Sequence, residues 1–449
     1  MHERETVPRK RQIRFWHVGL VILGLLAIAF GVLRIAARAK VQQRLAAIRA
    51  AGYPTTFAEL DDWYTIPTYV DNAADYITRA LGLLHVPKGE EAEGIPLFHS
   101  RTELPARTVP LDEQTQAKLA PLLEANREAL ELLHAAASVP DCRYPVDLRL
   151  GNGAWTAHLT PLRDATRLLI LEAALSAARN DSESATGAVV SGYGLARSLL
   201  KEPVTISQLV RMSCGNLTSQ ALERVVNRVE LSDAQLVRIE EALLASYDPN
   251  AIARGLVGER CFMLSNFRDP RATGVNGPPG VVWQVFNALG LLDRGLIRYL
   301  DHTSAAIEVA QGEPHRRQKA IAQVESQRET GSKLTSIFDS LAPAFGRIVI
   351  LDLHHLARLQ VTRTALAVQR YRLAHGELPQ RLDDLMPAFL EIVPADPFDG
   401  QPLRFQKLAP GFIVYSVGSD GTDDAGQERQ PMKSGQPEAP YDITFIIER

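Results

Sequence analysis

Two patterns that contain histidine are the first candidates for chemistry in this sequence. Glu131 and His134 form an E-x-x-H pattern on a predicted helix, the spacing by which di-iron helical bundles supply ligands from one helix. Such a site needs a second E-x-x-H and two further glutamates, and the sequence has no second copy. His354 and His355 are adjacent on another predicted helix, so their side chains point about 100° apart and cannot chelate one ion together. We therefore interpret the E-x-x-H pattern as part of a solvated helix face. Of the histidine pair, we expect one member to contact Asp352 or Arg358 on the surface.

Other reactive residue types give no catalytic signature. The sequence lacks the G-x-S-x-G, H-E-x-x-H, P-loop and G-x-G-x-x-G motifs. Cys142, Cys214 and Cys261 are widely spaced, without a C-x-x-C pair, and we predict buried apolar thiols. A single disulfide stays open as an alternative if the chain lies outside the cytoplasm. Trp63 and Tyr64 are predicted to be core residues. Taken together, these residue types predict no catalytic residue.

Length, composition and charge indicate the class of protein to which the chain belongs. The chain has 449 residues, which suggests two or three domains. Hydrophobic residues make up 46% and charged residues 22%, the balance of a folded protein. The net charge is only -3, and the basic residues are spread along the chain. We therefore expect no nucleic-acid partner, because such binding needs a basic patch.

An apolar run from Phe15 to Leu33 predicts a transmembrane helix over 15–36. At about 1.5 Å per residue the run just crosses a hydrocarbon core of about 30 Å. Its one ionisable residue, His17, lies near the end, and Phe15 and Trp16 stand where an interfacial aromatic belt is expected. Basic residues flank the run on both sides: Arg9, Lys10, Arg11 and Arg14 before it, Arg34, Arg38 and Lys40 after it. We predict a cytoplasmic tail over 1–14 and a periplasmic bulk, anchored once in a bacterial inner membrane.

A cleaved signal peptide is the alternative to a retained anchor. Ala37, Arg38 and Ala39 loosely match an A-x-A cleavage site. The apolar run is longer than the usual signal-peptide core, and Arg34 and Arg38 interrupt its end. These features favour a retained anchor.

The middle of the chain predicts a helical domain. The first helix should continue to Gly52, and Thr56 with Glu59 has capping-box spacing before a short helix. From Asp112 apolar residues recur every three or four positions, as in amphipathic helices. We predict an irregular antiparallel helical bundle or array, with surface loops near 86–110 and 268–280. Further helices are predicted at 183–200, 205–229, 233–246, 282–310 and 337–375.

The periodicity changes near the C-terminus. The helix through Thr362 should end at Gly376, and two short strands, LRFQ and FIVYS, follow. Turn residues separate them at Pro410-Gly411. We therefore predict a mainly α chain that ends in a small α+β module with a short antiparallel sheet. The predicted regions after the transmembrane helix are a juxtamembrane and linker region over 37–110, a helical domain over 111–336 and the module with its long helix over 337–449.

This C-terminal order resembles the soluble part of the major pseudopilin of type II secretion. The resemblance runs from Thr362 to the C-terminus. The matching stretches are Tyr371 to Pro379 (YRLAHGELP), Leu382 to Phe405 with Asp396-Pro397, Tyr415 to Gly421 (YSVGSDG) and Asp442-Ile443. The whole chain also resembles bacterial single-pass membrane proteins that place this module after a helical domain.

In the pseudopilins an acidic loop binds calcium, and the resemblance implies which residues would do so here. They are the Val417 carbonyl, Asp420, either Asp423 or Asp424, and Asp442. A hard cation takes several oxygen ligands, which such a loop supplies. The segment between the acidic pair and Asp442 is longer and more basic than in that family. A solvated acidic turn without a metal is the alternative.

Two functions from different classes follow. The leading interpretation is a non-enzymatic interaction or assembly protein related to type II secretion or pilus machinery, with a protein partner in the cell envelope. The alternative is a membrane-tethered enzyme, hydrolase-like, whose residues are scattered along the chain. A cavity lined with histidine and carboxylates in the helical body would favour the enzyme. A fibre subunit is disfavoured, because no pilin-type leader motif precedes the apolar run; we expect the module to dock on the body as a cap and present the loop at 416–442.

Overall fold

The computed structural model describes residues 15–67, 70–99, 102–150, 156–268, 284, 286–329, 345–429 and 440–449. Within these ranges the chain is mainly helical, with one long apolar helix at its start and a three-stranded antiparallel sheet near its end, as predicted. The helices are α1 (Phe15–Ala50), α2 (Phe57–Trp63), α3 (Ala73–Leu83), α4 (Glu113–Ala125), α5 (Arg127–Ala137), α6 (Leu159–Ala178), α7 (Ser182–Ser198), α8 (Thr205–Arg228), α9 (Asp233–Ala245), α10 (Ala251–Arg268), α11 (Leu291–Gln311), α12 (Pro314–Glu329) and α13 (Phe345–His375).

Helix α1 has two parts with different surroundings. Its first part is long and apolar enough to cross a membrane, with a mean hydropathy of 2.5 and none of that stretch buried in the protein. This is compatible with single-pass anchoring. Its second part packs Val41, Leu45 and Ile48 into a small apolar cluster with Leu264 and Leu300. The helix ends before Gly52, which has a left-handed φ of +80°, as the sequence predicted.

The helical body is built around α6, α7 and α8. Small residues let these helices approach closely: a Cβ on Gly192 of α7 would lie 2.9 Å from the Cγ2 of Thr218 on α8. The predicted N-terminal caps are present. The Glu59 N–H donates to Thr56 at 3.1 Å, and Ser232 with Gln235 forms a reciprocal capping box before α9.

Some boundaries differ from the prediction, and three helices were missed. Helices α3, α10 and α12 were not predicted. Helix α12 buries little beyond Arg317 and Ile321, so its sequence has too few apolar positions for a clear period. Helix α11 begins at Leu291, later than expected. The predicted loop residues 269–280 and the predicted helix start at 337–344 lie outside the described residues.

The C-terminal sheet has the order β1-β2-β3, with β1 at Arg404–Lys407, β2 at Phe412–Ser416 and β3 at Ile443–Ile447. The first two strands were predicted and β3 was not. One face of the sheet, with Val414 and Phe445 paired across it, packs on α13 in a shared core. The opposite face carries a second apolar cluster of Ile413, Tyr415 and Ile446.

Helix α8 closes the free edge of β3. The Asn227 amide donates to the Ile446 carbonyl at 2.8 Å and accepts from the Glu448 N–H at 2.7 Å. Glu223 accepts from the Ile446 N–H at 2.7 Å. The module is therefore docked on the helical body, as expected. Leu351 of α13 is 40% exposed.

Candidate functional site

The acidic loop, residues 417–429 with 440–442, crosses the outer face of the sheet. Gly426 has a left-handed φ of +78°, and a Cβ there would lie 2.6 Å from Ile413 Cδ1. Only glycine therefore lets the loop approach so closely. Asp442 fixes this crossing, because its Oδ2 accepts from the Gly426 N–H at 2.7 Å and its own N–H donates to the Gln427 carbonyl at 2.8 Å.

Two of the predicted calcium ligands, Asp420 and Asp423, have partners within the protein. Asp420 is exposed and accepts from the Thr422 N–H at 3.0 Å. Asp423 accepts from the Ala425 N–H at 3.0 Å, and its other oxygen lies 3.8 Å from Arg404 Nε. Val417 is buried. Asp420 and Asp423 thus make the local side-chain turns that short acidic residues favour.

Asp424 and Asp442 differ from the others, because each keeps a buried oxygen without a donor. Among the described residues, neither Asp424 Oδ2 nor Asp442 Oδ1 has a hydrogen-bond partner. Asp442 is only 2% exposed. Burial raises its pKa, and the negative charges of Asp423 and Asp424 raise it further. Two buried oxygens without donors have the chemistry that a cation would satisfy.

The predicted calcium set is thus brought together only in part. Asp423 and Asp424 lie near enough to Asp442 to affect its pKa, whereas Asp420 points to solvent. Within the part of the chain that the structure describes, no group of three or more histidine, cysteine, aspartate or glutamate residues could hold a metal. Residues 430–439, which join the loop to Asp442, are outside that part. Calcium binding stays a prediction.

Asp396 organises the base of the loop, a role that sequence reasoning missed. Its Oδ1 accepts from Ser416 Oγ at 2.9 Å, and its Oδ2 accepts from the Val417 N–H and from Arg404, both at 2.9 Å. Asp396 is fully buried, and burial raises its pKa. The available signal was the Asp-Pro pair in a run of turn residues, which marks a side chain that bonds nearby backbone.

A polar cleft of about 800 Å³ separates the module from the body. Arg107, from the loop before α4, reaches across it to Glu428 at 2.8 Å and to Glu448 at 3.0 Å. Glu223 of α8 lies 3.8 Å from the same guanidinium. One arginine thus connects the acidic loop, the C-terminal end and the body.

The helical body holds a second constellation that the sequence did not reveal. The His134 ring lies 2.7 Å from Ser191 Oγ through Nδ1 and 3.2 Å from Glu172 Oε1 through Nε2. The three residues line an open cleft of about 520 Å³ between α5, α6 and α7. The solvated-face interpretation therefore holds for the exposed Glu131 and is wrong for His134, because α5 turns this histidine toward α6 and α7.

A surface position is also wrong for His355. His355 is fully buried, with Nδ1 2.9 Å from Asn216 Oδ1 and Nε2 3.3 Å from Arg211. Burial lowers its pKa well below the usual value, and the Arg211 charge lowers it further. His354 is partly buried against the edge of Phe398, at a ring distance of 5.1 Å. The reason is that α13 is enclosed by the body and the sheet.

The cysteines follow the prediction of buried apolar thiols. None of Cys142, Cys214 and Cys261 forms a disulfide, and all are buried. Burial raises the pKa of Cys142 to about 12 and that of Cys214 to about 11. Thiols this hard to ionise are poor nucleophiles, so neither is a catalytic candidate.

No family model, curated protein or solved structure matches this chain.

Proposed function

We propose that this chain is a non-enzymatic interaction protein of the bacterial cell envelope, related to type II secretion or pilus machinery. In this proposal α1 anchors it in the inner membrane with the bulk in the periplasm. The C-terminal module is a cap on the helical body, and its acidic loop contacts a protein partner. The observation that carries the proposal is the closed edge of β3, where Asn227 and Glu223 bind its backbone.

The closed edge argues for a cap rather than a fibre subunit. An open edge strand offers unpaired N–H and C=O groups to another chain, and side chains of α8 occupy these groups here. In fibres, pseudopilins pack through the helix that α13 resembles. Here that helix is enclosed, with Leu356, Leu366 and Val368 at 5%, 0% and 0% exposure. The acidic loop keeps exposed residues for a partner, among them Asp420, Thr422 and Asp423.

Calcium is part of this proposal. Asp424 and Asp442 would hold the ion through their donor-free oxygens, with Asp423 beside them. Bound calcium would neutralise the clustered charge and stiffen the loop that faces the partner. The fit is partial, since Asp420 points away from this pair.

Photo-crosslinking from native membranes tests the proposal. A crosslinking side chain at Thr422, in the loop, is compared with one at Glu241, an exposed position on α9. We expect secretion or pilus components to be captured from Thr422 and not from Glu241. Protease added to spheroplasts should digest the body, as a periplasmic location requires. Equal capture from both positions, or filaments of the purified protein in electron micrographs, would contradict the cap.

A hydrolase is the second candidate, because of the Ser191, His134 and Glu172 constellation. A hydroxyl bonded to an imidazole that is bonded to a carboxylate is the arrangement that activates a serine nucleophile. It ranks second for two physical reasons. Ser191 is only 2% exposed, and it lies in the middle of α7, where backbone N–H groups are engaged in the helix and cannot stabilise an oxyanion. Labelling by a fluorophosphonate that is lost in Ser191→Ala and kept in Ser138→Ala would raise it to first.

A further inference from the structure

Helix α11 begins at the level where the apolar run of α1 ends. Successive contacts between the two segments lie at increasing residue numbers in both of them. The Arg34 guanidinium donates to Asn287 Oδ1 at 3.1 Å, and Arg44 pairs with Asp301 at 2.6 Å. The second part of α1 and α11 therefore run parallel, and the start of α11 lies beside Arg34.

The segment just before α11 leaves apolar surface uncovered at this level. Leu289 is 51% exposed, and Ala288 beside it is also exposed. Gly290 has a left-handed φ of +69° and faces α1, since a Cβ there would lie 3.6 Å from Arg34 Cγ. On α1 the neighbouring Leu33 is 57% exposed. Exposed apolar side chains from two separate parts of the chain thus lie at the same level along the axis of α1.

With α1 as the membrane anchor of the proposed function, on which this inference rests, that height is the membrane–water interface. The apolar run ends at Leu33, and Arg34 follows it by about 1.5 Å along the helix axis. The polar layer of a bilayer extends several ångströms beyond the hydrocarbon on each side, so the partners of Arg34 lie within it. Basic groups suit this layer. Arg38 has a 60% exposed side chain, and Arg294 in the first turn of α11 is exposed.

We propose that residues 286–290 and the first turn of α11 are a second membrane contact, which lies on the phospholipid surface of the leaflet from which α1 emerges. The occupant is the bilayer that already surrounds α1, because the exposed residues continue the surface of the anchor. This contact fixes the orientation of the body, since two points of attachment prevent rotation about α1. Helix α12, which follows α11, connects this contact to the acidic loop, because the Gln318 amide of α12 donates to the Ser419 carbonyl at 2.7 Å.

Lipid quenching of a site-specific fluorophore tests this contact. The full chain, with Leu289→Cys or Ala288→Cys labelled by an environment-sensitive dye, is reconstituted in vesicles of phosphatidylglycerol and phosphatidylethanolamine. Leu33→Cys is the reference inside the membrane. Leu244→Cys, at 44% exposure on α9, is the matched control for an exposed leucine on the body. The native cysteines are buried, and the parent protein measures their labelling.

We expect brominated lipids to quench the dye at 288 and 289 several-fold more than at 244, and less than at 33. Quenching at both sites equal to that at 244 overturns the proposal. So does a blue-shifted dye that brominated lipids leave unquenched, because a second protein copy would then cover the segment. Melting temperatures equal to that of the parent show that each labelled protein is folded.

Discussion

Asp352 and Asp442 are two buried carboxylates, each 2% exposed, in contrasting surroundings. Asp352 lies on α13 between two arginines, 3.2 Å from Arg317 and 3.7 Å from Arg211. Asp442 lies under the acidic loop and has a backbone donor on one oxygen and, among the described residues, none on the other. Burial favours the neutral form of both carboxyl groups. At Asp352 the charges of Arg211 and Arg317 oppose burial and favour the ionised form. At Asp442 burial raises the pKa, and the charges of neighbouring aspartates raise it further.

The difference separates a structural role from a binding role. At Asp352 the charge is compensated by the protein, so the residue fastens α8, α12 and α13 together. At Asp442 the compensation is incomplete, which is the condition under which a buried carboxylate gains most from a cation.

Asp352→Asn should give the largest effect. The substitution removes the charge that compensates Arg211 and Arg317, and removing one partner of a buried ion pair costs about 3–5 kcal/mol. Urea unfolding of the detergent-solubilised chain measures the loss. Asp301→Asn is the control, since its pair with Arg44 is about half exposed and should contribute little. Equal losses in the two variants would show that the Asp352 site is not a structural fastening. Added calcium should leave both losses, measured relative to the wild type, unchanged.

His355→Gln should remove part of the acid sensitivity of the same region. The folded-state pKa of His355 is lowered, so the unfolded state binds the extra proton, and stability is lost as pH falls below the unfolded value of about 6.5. One such proton gives a slope of at most about 1.4 kcal/mol per pH unit. Unfolding free energies measured between pH 5 and pH 7 should therefore be flatter in the variant. His375→Gln, exposed at the end of the same helix, should keep the wild-type slope.

Local signals explain which elements the sequence predicted. Helix α1, the stop at Gly52 and strand β2 depend on an apolar run, a glycine and a block of β-formers, all readable within a few residues. Helix α12 lacks such a pattern, and β3 stands alone after residues 430–439, so its pairing with β2 was not apparent.

The sites were less predictable, because they depend on contacts between distant segments. His355 is buried because α8 has a glycine where the imidazole lies: a Cβ on Gly215 would be 2.8 Å from its Cε1. His134 meets Ser191 and Glu172 only after three helices pack. Asp442 was predicted as a ligand by resemblance, but its unpaired oxygen depends on how the loop crosses the sheet.

Asp442→Asn should give the smallest effect, of opposite sign to that of Asp352→Asn. The pKa of Asp442 is raised, so its contribution to stability is complete at low pH and is lost as pH rises through the folded-state pKa. At pH 7 without calcium, the neutral amide should therefore stabilise the protein slightly. The amide oxygen still accepts from Gly426 N–H, so the loop keeps its crossing.

Calcium should reverse the order of stability of the wild type and Asp442→Asn. A ligand that binds only the folded state raises its stability, by about 2.7 kcal/mol at a hundredfold excess over Kd, and the wild type should gain this while Asp442→Asn should not. Thermal unfolding with chelator and with millimolar calcium measures both. Asp420→Asn keeps its acceptor for Thr422 and serves as the matched variant. If it also loses the calcium response, the ligand set implied by the pseudopilin resemblance holds; if it keeps the response, the ion is held by Asp442 and its neighbours without Asp420. If the wild type has the same melting temperature with chelator and with calcium, the loop is a solvated acidic turn without a metal.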